Sequence, residues 1–196
     1  MKPLALWLVL WLSPIQTFDG AVREWALDAH TPALDVTMRT ASHIGTPTVV
    51  LGALLAIAVL DPVEGVAVAR TALVALVPTN IAVESLKRLT QRTRPDGEHN
   101  PANSSFPSSH AANAMALAYV FARRWKKGAP VFWLAATLVA VSRVYLGRHY
   151  MSDVVVGTAI GICCGGWAVW LMSRRGRRTD RREGAASPEA AEPASR

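Results

Sequence analysis

Five hydrophobic runs alternate with polar segments along the chain, at residues 44–60, 66–83, 111–122, 131–141 and 154–172. A helix needs about 17–25 apolar residues to cross a hydrocarbon core roughly 30 Å thick. The last run is long enough alone, whereas the third and fourth reach that length only when extended to residues 108–124 and 130–148. The extension adds polar residues to the helix ends, so we expect these residues to lie at the membrane interface.

Two segments before these runs have more than one interpretation. Residues 3–12 are apolar and resemble either a first spanning helix or the hydrophobic region of a signal peptide. Ser13-Pro14 interrupts this run, and no clear small-x-small cleavage site follows, so we favour a retained helix. Residues 18–42 are mixed, with apolar residues at helical spacing, which suits an amphipathic helix on the membrane surface or an exposed connector.

The pattern predicts an all-α protein, a polytopic membrane bundle of about six transmembrane helices within residues 1–172. A soluble helical protein is the alternative, and the length of the apolar runs argues against it. The tail, residues 173–196, is first rich in Arg and then in Ala, Pro and Glu. Because it offers no large apolar side chain to bury, we expect it to be disordered.

The chain carries a formal net charge of +7, which first suggests a nucleic-acid partner. Much of the positive charge, however, directly follows hydrophobic runs, at residues 123–127 and 174–182. Basic residues at these positions are typical of the cytoplasmic side of a membrane protein. The tail also lacks interleaved aromatic residues, so we predict no nucleic-acid partner, a plasma-membrane location and a cytoplasmic tail.

Three short polar motifs lie between the hydrophobic runs. The chain would cross the membrane twice between the second and the third motif, so all three would meet at one face. That face lies opposite the basic segments, so the motifs should face the extracytoplasmic side. The motifs are Lys87-x6-Arg94-Pro95, Pro107-Ser108-Ser109-His110 and Ser142-Arg143-x5-His149-x3-Asp153.

The third motif contains a histidine and a carboxylate that could act together. His149 and Asp153 are four residues apart, so they share one face of a helix. A carboxylate at Asp153 could accept a hydrogen bond from one ring nitrogen of His149 and leave the other nitrogen free for attack. A simple polar pair on a helix is the alternative.

The second motif has the composition of a helix start. Ser108 or Ser109 would cap the following helix, and the free backbone N–H groups there form an anion site. His110 in the first turn could then protonate a leaving oxygen. Capping without a catalytic role is the alternative for these residues.

Fixed cations would complete a phosphate site. Lys87, Arg94 and Arg143 could contact the phosphate oxygens, where positive charge supplies most of the catalysis in phosphoryl transfer. We interpret Arg88 and Arg92 as solvated or headgroup-contacting residues. Glu84 would orient or neutralise a neighbouring cation, and Asn80 would hydrogen-bond between helices.

The motifs resemble those of the type 2 phosphatidic acid phosphatase superfamily, which also includes vanadium haloperoxidases. The family pattern is K-x6-RP, PSGH and SR-x5-H-x3-D, and the sequence departs from it only at Ser109, which replaces Gly. The resemblance implies that His149 is the nucleophile of a phosphohistidine intermediate, oriented by Asp153. It implies that His110 is the general acid and then the base, and that no metal or cofactor is needed. The implied phosphate ligands are Lys87, Arg94, Ser108, Ser109 and Arg143.

A membrane chain with these motifs is expected to act on a lipid phosphate in the bilayer. Candidate substrates are polyprenyl diphosphates, phosphatidate and phosphatidylglycerol phosphate. A vanadate-dependent haloperoxidase is one alternative, but those enzymes are typically larger and soluble. A catalytically inactive membrane binding protein is another, and the complete set of motif residues argues against it.

Overall fold

The computed structural model describes residues 3–98 and 103–186, with side chains described for residues 14–98 and 103–177. The described residues are all-helical apart from turns and loops, which confirms the predicted class. A single 3-10 turn, Lys126–Gly128, precedes the sixth helix. The helices are α1 (Pro3–Asp28), α2 (Pro32–Ile44), α3 (Pro47–Leu60), α4 (Glu64–Thr90), α5 (Ser109–Arg124), α6 (Ala129–Tyr145) and α7 (Met151–Ala186).

Within the described part of the chain, three segments are long and apolar enough to cross a membrane: Glu64–Thr90, Lys126–Tyr145 and Met151–Arg177. A fourth span is possible if α2 and α3, which are bent by 61° at their junction, cross together. The bend follows from the sequence, because Gly45-Thr46 ends one helix and Pro47 begins the next. The helices fit the predicted polytopic membrane bundle. We expected about six crossings, and the described helices supply three or four candidate spans.

The two short hydrophobic runs form helices close to the extended bounds that we predicted. α5 spans Ser109–Arg124 and α6 spans Ala129–Tyr145, so their polar residues do lie at the helix ends. α5 is the central helix and packs against α4, α6 and α7. Its small residues Ala111, Ala112 and Ala116 are fully buried.

A row of glycines on α7 allows the backbones of α5 and α7 to come unusually close. A Cβ added at Gly157, Gly161 or Gly165 would lie only 2.5, 2.1 or 2.8 Å from a backbone carbonyl oxygen of α5 or its cap. Small residues at this spacing are the common device for tight helix packing in membranes. The close approach brings the start of α7 against the start of α5, where the Ser108 N–H donates to the Asp153 carbonyl at 3.0 Å.

Two segments test the expectations from the sequence. α1 continues through Pro14 to Asp28, and α2 follows, so residues 18–42 are largely helical, in agreement with the helical interpretation and not with an exposed connector. α7 continues past residue 173 to Ala186, although we expected disorder there. Arg and Ala favour helix, and this stretch contains no Pro until residue 188. Residues 187–196 lie outside the described part of the chain.

Candidate active site

A pocket of about 330 Å³ opens where the three motifs meet. Five of the eight predicted site residues line it, and the remaining three lie buried behind its wall. Lys87 is 4% exposed, and Ser108 and Asp153 are fully buried. The lining residues are Arg94, Glu98, Asn103, Ser109, His110, Arg143, Arg148 and His149.

His149 lies in the turn between α6 and α7. Gly147, with φ of +65°, reverses the chain there, and the backbone N–H of His149 donates to the Arg143 carbonyl at 3.1 Å. The ring Nδ1 lies 2.7 Å from the carbonyl oxygen of Ser105 and donates to it in the tautomer that leaves Nε2 unprotonated. Burial lowers the pKa of His149, and the nearby charges of Arg143 and Arg94 lower it further against the opposing effect of Asp153.

Asp153 does not make the direct hydrogen bond to His149 that we predicted. Its Oδ2 lies 3.8 Å from Nδ1 of His149, beyond hydrogen-bond distance. Oδ2 instead accepts from the Ser105 hydroxyl at 2.5 Å and from the Tyr150 N–H at 2.8 Å. Asp153 therefore fixes Ser105 through a hydrogen bond, and the Ser105 carbonyl in turn orients the His149 ring.

Ser108 is the N-cap residue of α5, so it is Ser108, of the two serines that we predicted as possible caps, that takes this position. Its Oγ accepts from the Ala111 N–H at 3.4 Å. The hydroxyl of Ser108 is buried and used by the cap, whereas Ser109 lines the pocket. His110 also lines the pocket from the first turn of α5, as the motif predicted.

Asn103 connects two of the predicted cations. Its side-chain oxygen accepts from Arg94 Nη2 at 2.8 Å and from Lys87 Nζ at 3.3 Å. Nη1 of Arg94 also donates to the Arg148 carbonyl at 3.1 Å, so the guanidinium is held at two ends. Glu84 approaches Lys87 to 3.8 Å, which agrees with its predicted neutralising role.

Arg143 has an unused donor at the pocket. Its Nη1 donates to the Ser42 hydroxyl at 2.5 Å, which fixes the guanidinium. Its Nε is buried and has no hydrogen-bond partner among the described residues. An unpaired buried donor costs about 1–3 kcal/mol, which an anionic ligand could recover.

Comparison with known proteins agrees with this arrangement. Residues 68–177, more than half of the chain, match the family model described as the PAP2 superfamily. The chain belongs to the PAP2 superfamily. The matched residues include all three motifs of the PAP2 domain and the whole of the pocket lining.

Two solved PAP2 structures resemble this one over most of their length. One is LpxE of Aquifex aeolicus, with a TM-score of 0.68 and 27% identity over 76% of this chain and 93% of that chain. The other is a transmembrane PAP2 type phosphatidylglycerolphosphate phosphatase from Bacillus subtilis. It has a TM-score of 0.69 and 25% identity over 88% of this chain and 96% of that chain.

The curated relatives are phosphatases with different lipid substrates. Decaprenylphosphoryl-5-phosphoribose phosphatase of Mycobacterium tuberculosis is 40% identical over 41% of this chain. The match covers 48% of that protein, so the chain spans about half the length of this relative. Phosphatidylglycerophosphatase B of Bacillus subtilis is 27% identical over 82% of this chain and 90% of that protein.

Sequence reasoning missed three polar residues in or behind the pocket: Asn103, Ser105 and Asp19. All three are small polar residues in irregular or amphipathic segments, where no spacing rule marks them. It also missed the ion pairs of Arg92, which is partly exposed and whose guanidinium pairs with Asp19 and Asp153. Burial lowers the pKa of Arg92, but its bonds to these carboxylates outweigh burial and raise the pKa above its ordinary value.

The predicted role of Asn80, a hydrogen bond between helices, is confirmed. Asn80 on α4 and Asn113 on α5 exchange side-chain amide hydrogen bonds of 3.1 and 3.2 Å. Asn113 lies one turn after His110 on α5, so this pair ties the helix that carries His110 to the helix that carries Lys87. A reciprocal amide pair of this kind stabilises helix association in a bilayer.

Proposed function

We propose that the protein is an integral membrane phosphatase that hydrolyses a lipid phosphomonoester or diphosphate through a phosphohistidine at His149. The single observation that carries the proposal is the pocket, which two histidines and three arginines line. Membership of the PAP2 superfamily and relatives with named lipid phosphatase activities support it.

The phosphate would be bound by the cationic wall of the pocket. Arg94 and Arg143 line the pocket, and the side chain of Lys87 lies behind it, in contact with Asn103. Ser109 would add a hydroxyl and a backbone N–H at the start of α5, and Ser108 would contribute by shaping that helix end. Charge on the equatorial oxygens of the transferring group would thus meet preorganised donors.

His149 would attack phosphorus through Nε2, because Nδ1 donates to the Ser105 carbonyl. An N–P bond forms while the P–O bond to the lipid breaks. His110 would give its proton to the leaving oxygen, so the lipid departs as an alcohol, or as a monophosphate when the substrate is a diphosphate. The negative charge of the bound phosphate favours the protonated form of His110 that this step needs.

Water would complete the cycle. His110, now neutral, would take a proton from a water molecule, whose oxygen forms a bond to phosphorus as the N–P bond breaks. Inorganic phosphate is released and both histidines return to their starting forms. None of these steps uses a metal ion or a cofactor.

The substrate would come from the bilayer, with its phosphate at the extracytoplasmic interface. The pocket lies at the end of the bundle where α5 and α7 begin, and the basic residues of both helices lie at the opposite end. Polyprenyl diphosphates, phosphatidate and phosphatidylglycerol phosphate all present the required group. A reporter fused to the last residue should read as cytoplasmic; an external reading would overturn this orientation.

A phosphate-release assay in the presence of EDTA would test the proposal. Purified protein should release phosphate from at least one of the three lipid classes, and His149→Ala should abolish release. His43→Ala is the matched control, because His43 is exposed on α2 and away from the pocket. Undiminished release by His149→Ala would overturn the assignment of the nucleophile. Bromide peroxidation after vanadate loading, without phosphate release, would favour a haloperoxidase.

A further inference from the structure

A buried carboxylate on α1 lies behind the pocket. Asp19 is only 2% exposed, although it belongs to a helix whose neighbouring residues mostly face outward. Carboxylates are almost never fully buried unless they are paired. Asp19 lies outside the three motifs and before the first residue of the family match, so the proposed mechanism does not use it.

Asp19 holds the start of α7. Its Oδ1 accepts from the Ser152 N–H at 2.9 Å, and its Oδ2 accepts from the Ser152 hydroxyl at 2.6 Å. Ser152 is the second residue of α7, where backbone N–H groups have no partner within their own helix. A carboxylate at a helix start also interacts favourably with the helix dipole. Asp19 on α1 therefore caps the start of α7 at Ser152, the residue that precedes Asp153.

Arg92 joins Asp19 to Asp153. Its Nη2 donates to Asp19 at 2.8 Å, and its Nη1 donates to Asp153 Oδ1 at 2.6 Å. The guanidinium also lies 4.1 Å from the centre of the Tyr150 ring, which packs against its flat face. A planar guanidinium with several fixed donors suits such a bridge, because each carboxylate restricts its rotation.

The chain of contacts continues to the ring of His149. Asp153 accepts from the Ser105 hydroxyl at 2.5 Å, and the Ser105 carbonyl accepts from His149 Nδ1 at 2.7 Å. The backbone of Arg92 strengthens the same chain, because its carbonyl accepts from the Ser105 N–H at 2.8 Å. A shift of Arg92 would therefore move both groups that fix Ser105.

We propose that Asp19 is a positioning residue for His149, acting through Arg92. The inference rests on the proposed function, in which His149 is the nucleophile. It makes α1 a part of the catalytic unit. Loss of the Asp19 charge would leave Asp153 as the one carboxylate partner of Arg92 among the described residues, beside the Ser152 hydroxyl and the Tyr150 ring. The ring of His149 would then lose part of its fixed orientation.

Steady-state kinetics on the full-length chain, with a lipid phosphate that the wild type hydrolyses, would test the inference. Asp19→Asn removes the charge but retains an acceptor for Ser152. We expect kcat to fall about tenfold or more, while KM changes less than about threefold, because the pocket wall is untouched. Asp28→Asn is the matched control, since Asp28 is exposed on the same helix and should keep both constants within about twofold of wild type.

A double-mutant cycle with Arg92→Lys would test the route. Lys retains the charge but cannot hold both carboxylates in one planar fork. In the Arg92→Lys background, Asp19→Asn should lower kcat by less than about threefold further. An equally large fall in both backgrounds would show that Asp19 acts independently of Arg92, and would overturn the inference.

The other outcomes are equally decisive. Wild-type kcat in Asp19→Asn would overturn the positioning role while leaving the proposed function intact. A wild-type chain that hydrolyses no lipid phosphate would overturn both. If Asp19→Asn does not fold, Ser152→Ala removes the hydroxyl that donates to Asp19 and accepts from Arg92. A fall in its kcat of about threefold at unchanged KM supports the inference, and wild-type kcat contradicts it.

Discussion

The two sides of His149 differ in how their charges are satisfied. Behind the ring, the carboxylates of Asp19 and Asp153 share the guanidinium of Arg92, and every one of these groups has short hydrogen bonds. In front of the ring, Arg94 and Arg143 face the pocket, and one buried donor of Arg143 lacks a partner among the described residues. The charges at the rear are balanced by ion pairs, whereas Arg94 and Arg143 at the front have no carboxylate partner among the described residues.

This difference separates stability from catalysis. A satisfied network of buried charges is destabilised when one partner is removed, because the remaining charges stay buried without compensation. A cluster of like charges around a pocket adds nothing to stability but favours the binding of a phosphate that carries several negative charges. Substitutions on the two sides should therefore have opposite signatures.

The largest effect on stability is expected from Arg92→Ala. It leaves Asp19 and Asp153 without their shared cation, and breaking a buried ion pair in this way costs about 3–5 kcal/mol. We expect a large fall in the free energy of unfolding, measured by denaturation in detergent micelles. Arg88→Ala is the control, because Arg88 is exposed on the last turn of α4. Equal stability of the two variants would contradict a structural role for the rear network.

The largest effect on catalysis at unchanged stability is expected from Arg143→Gln. Removal of one preorganised donor to the transition state costs about 10²–10³ in kcat. The free energy of unfolding should stay within about 1 kcal/mol of wild type, because the lost bond to Ser42 is offset by the loss of an uncompensated charge. Phosphate release and denaturation would be measured on the same preparation. A loss of stability as large as that of Arg92→Ala would remove the distinction between front and rear.

A smaller loss of stability is expected when the close contact between α5 and α7 is disturbed, because this contact aligns the front and the rear of the site. Gly161→Ala would place a Cβ 2.1 Å from the Ala112 carbonyl, so α7 must move away from α5. Overpacking of this kind costs about 1–3 kcal/mol. Because α5 carries His110 and α7 begins beside His149, activity should fall as well. Gly52→Ala is the control, since a Cβ there meets nothing within 4 Å. Unchanged melting of Gly161→Ala would contradict the close approach.

The front of the site was predictable because its residues obey spacing rules. His110 and Arg143 lie in the end turns of helices, and Arg94 and His149 lie in the loops next to helix ends, so the order of hydrophobic runs was enough to bring them together. The helical class and the bounds of α5 and α6 followed from the same pattern. The extension of α7 to Ala186 did not follow from this pattern, because a polar stretch can form a helix without burying an apolar face.

The rear of the site was not predictable from the sequence. The Ser105 carbonyl is a backbone group, and no residue type signals which carbonyl will face a histidine. Asp19 and Arg92 are 73 residues apart and belong to segments with no shared period. Their pairing depends on how α1 packs beside the start of α7, which is a tertiary contact.

The smallest effect that we predict is a shift in the pH dependence of catalysis. Attack requires neutral His149, whose pKa is lowered from its ordinary value near 6.5 by burial and by Arg143 and Arg94. The acid limb of the wild-type kcat/KM, along which the ring becomes protonated, should therefore lie at a lower pH than an ordinary imidazole would give. Arg143→Gln removes one of the cations that lower this pKa, so the acid limb should move upward by less than about one pH unit.

The control for this shift is Arg70→Gln, which removes an exposed cation outside the pocket lining. Its acid limb should match that of the wild type, because solvent screens a distant exposed charge. A limb that stays in place or moves downward in Arg143→Gln would contradict the assignment of His149 as the titrating group. An upward shift confined to Arg143→Gln would show that the unpaired cations in front of the ring, and not only its burial, keep His149 neutral and ready to attack.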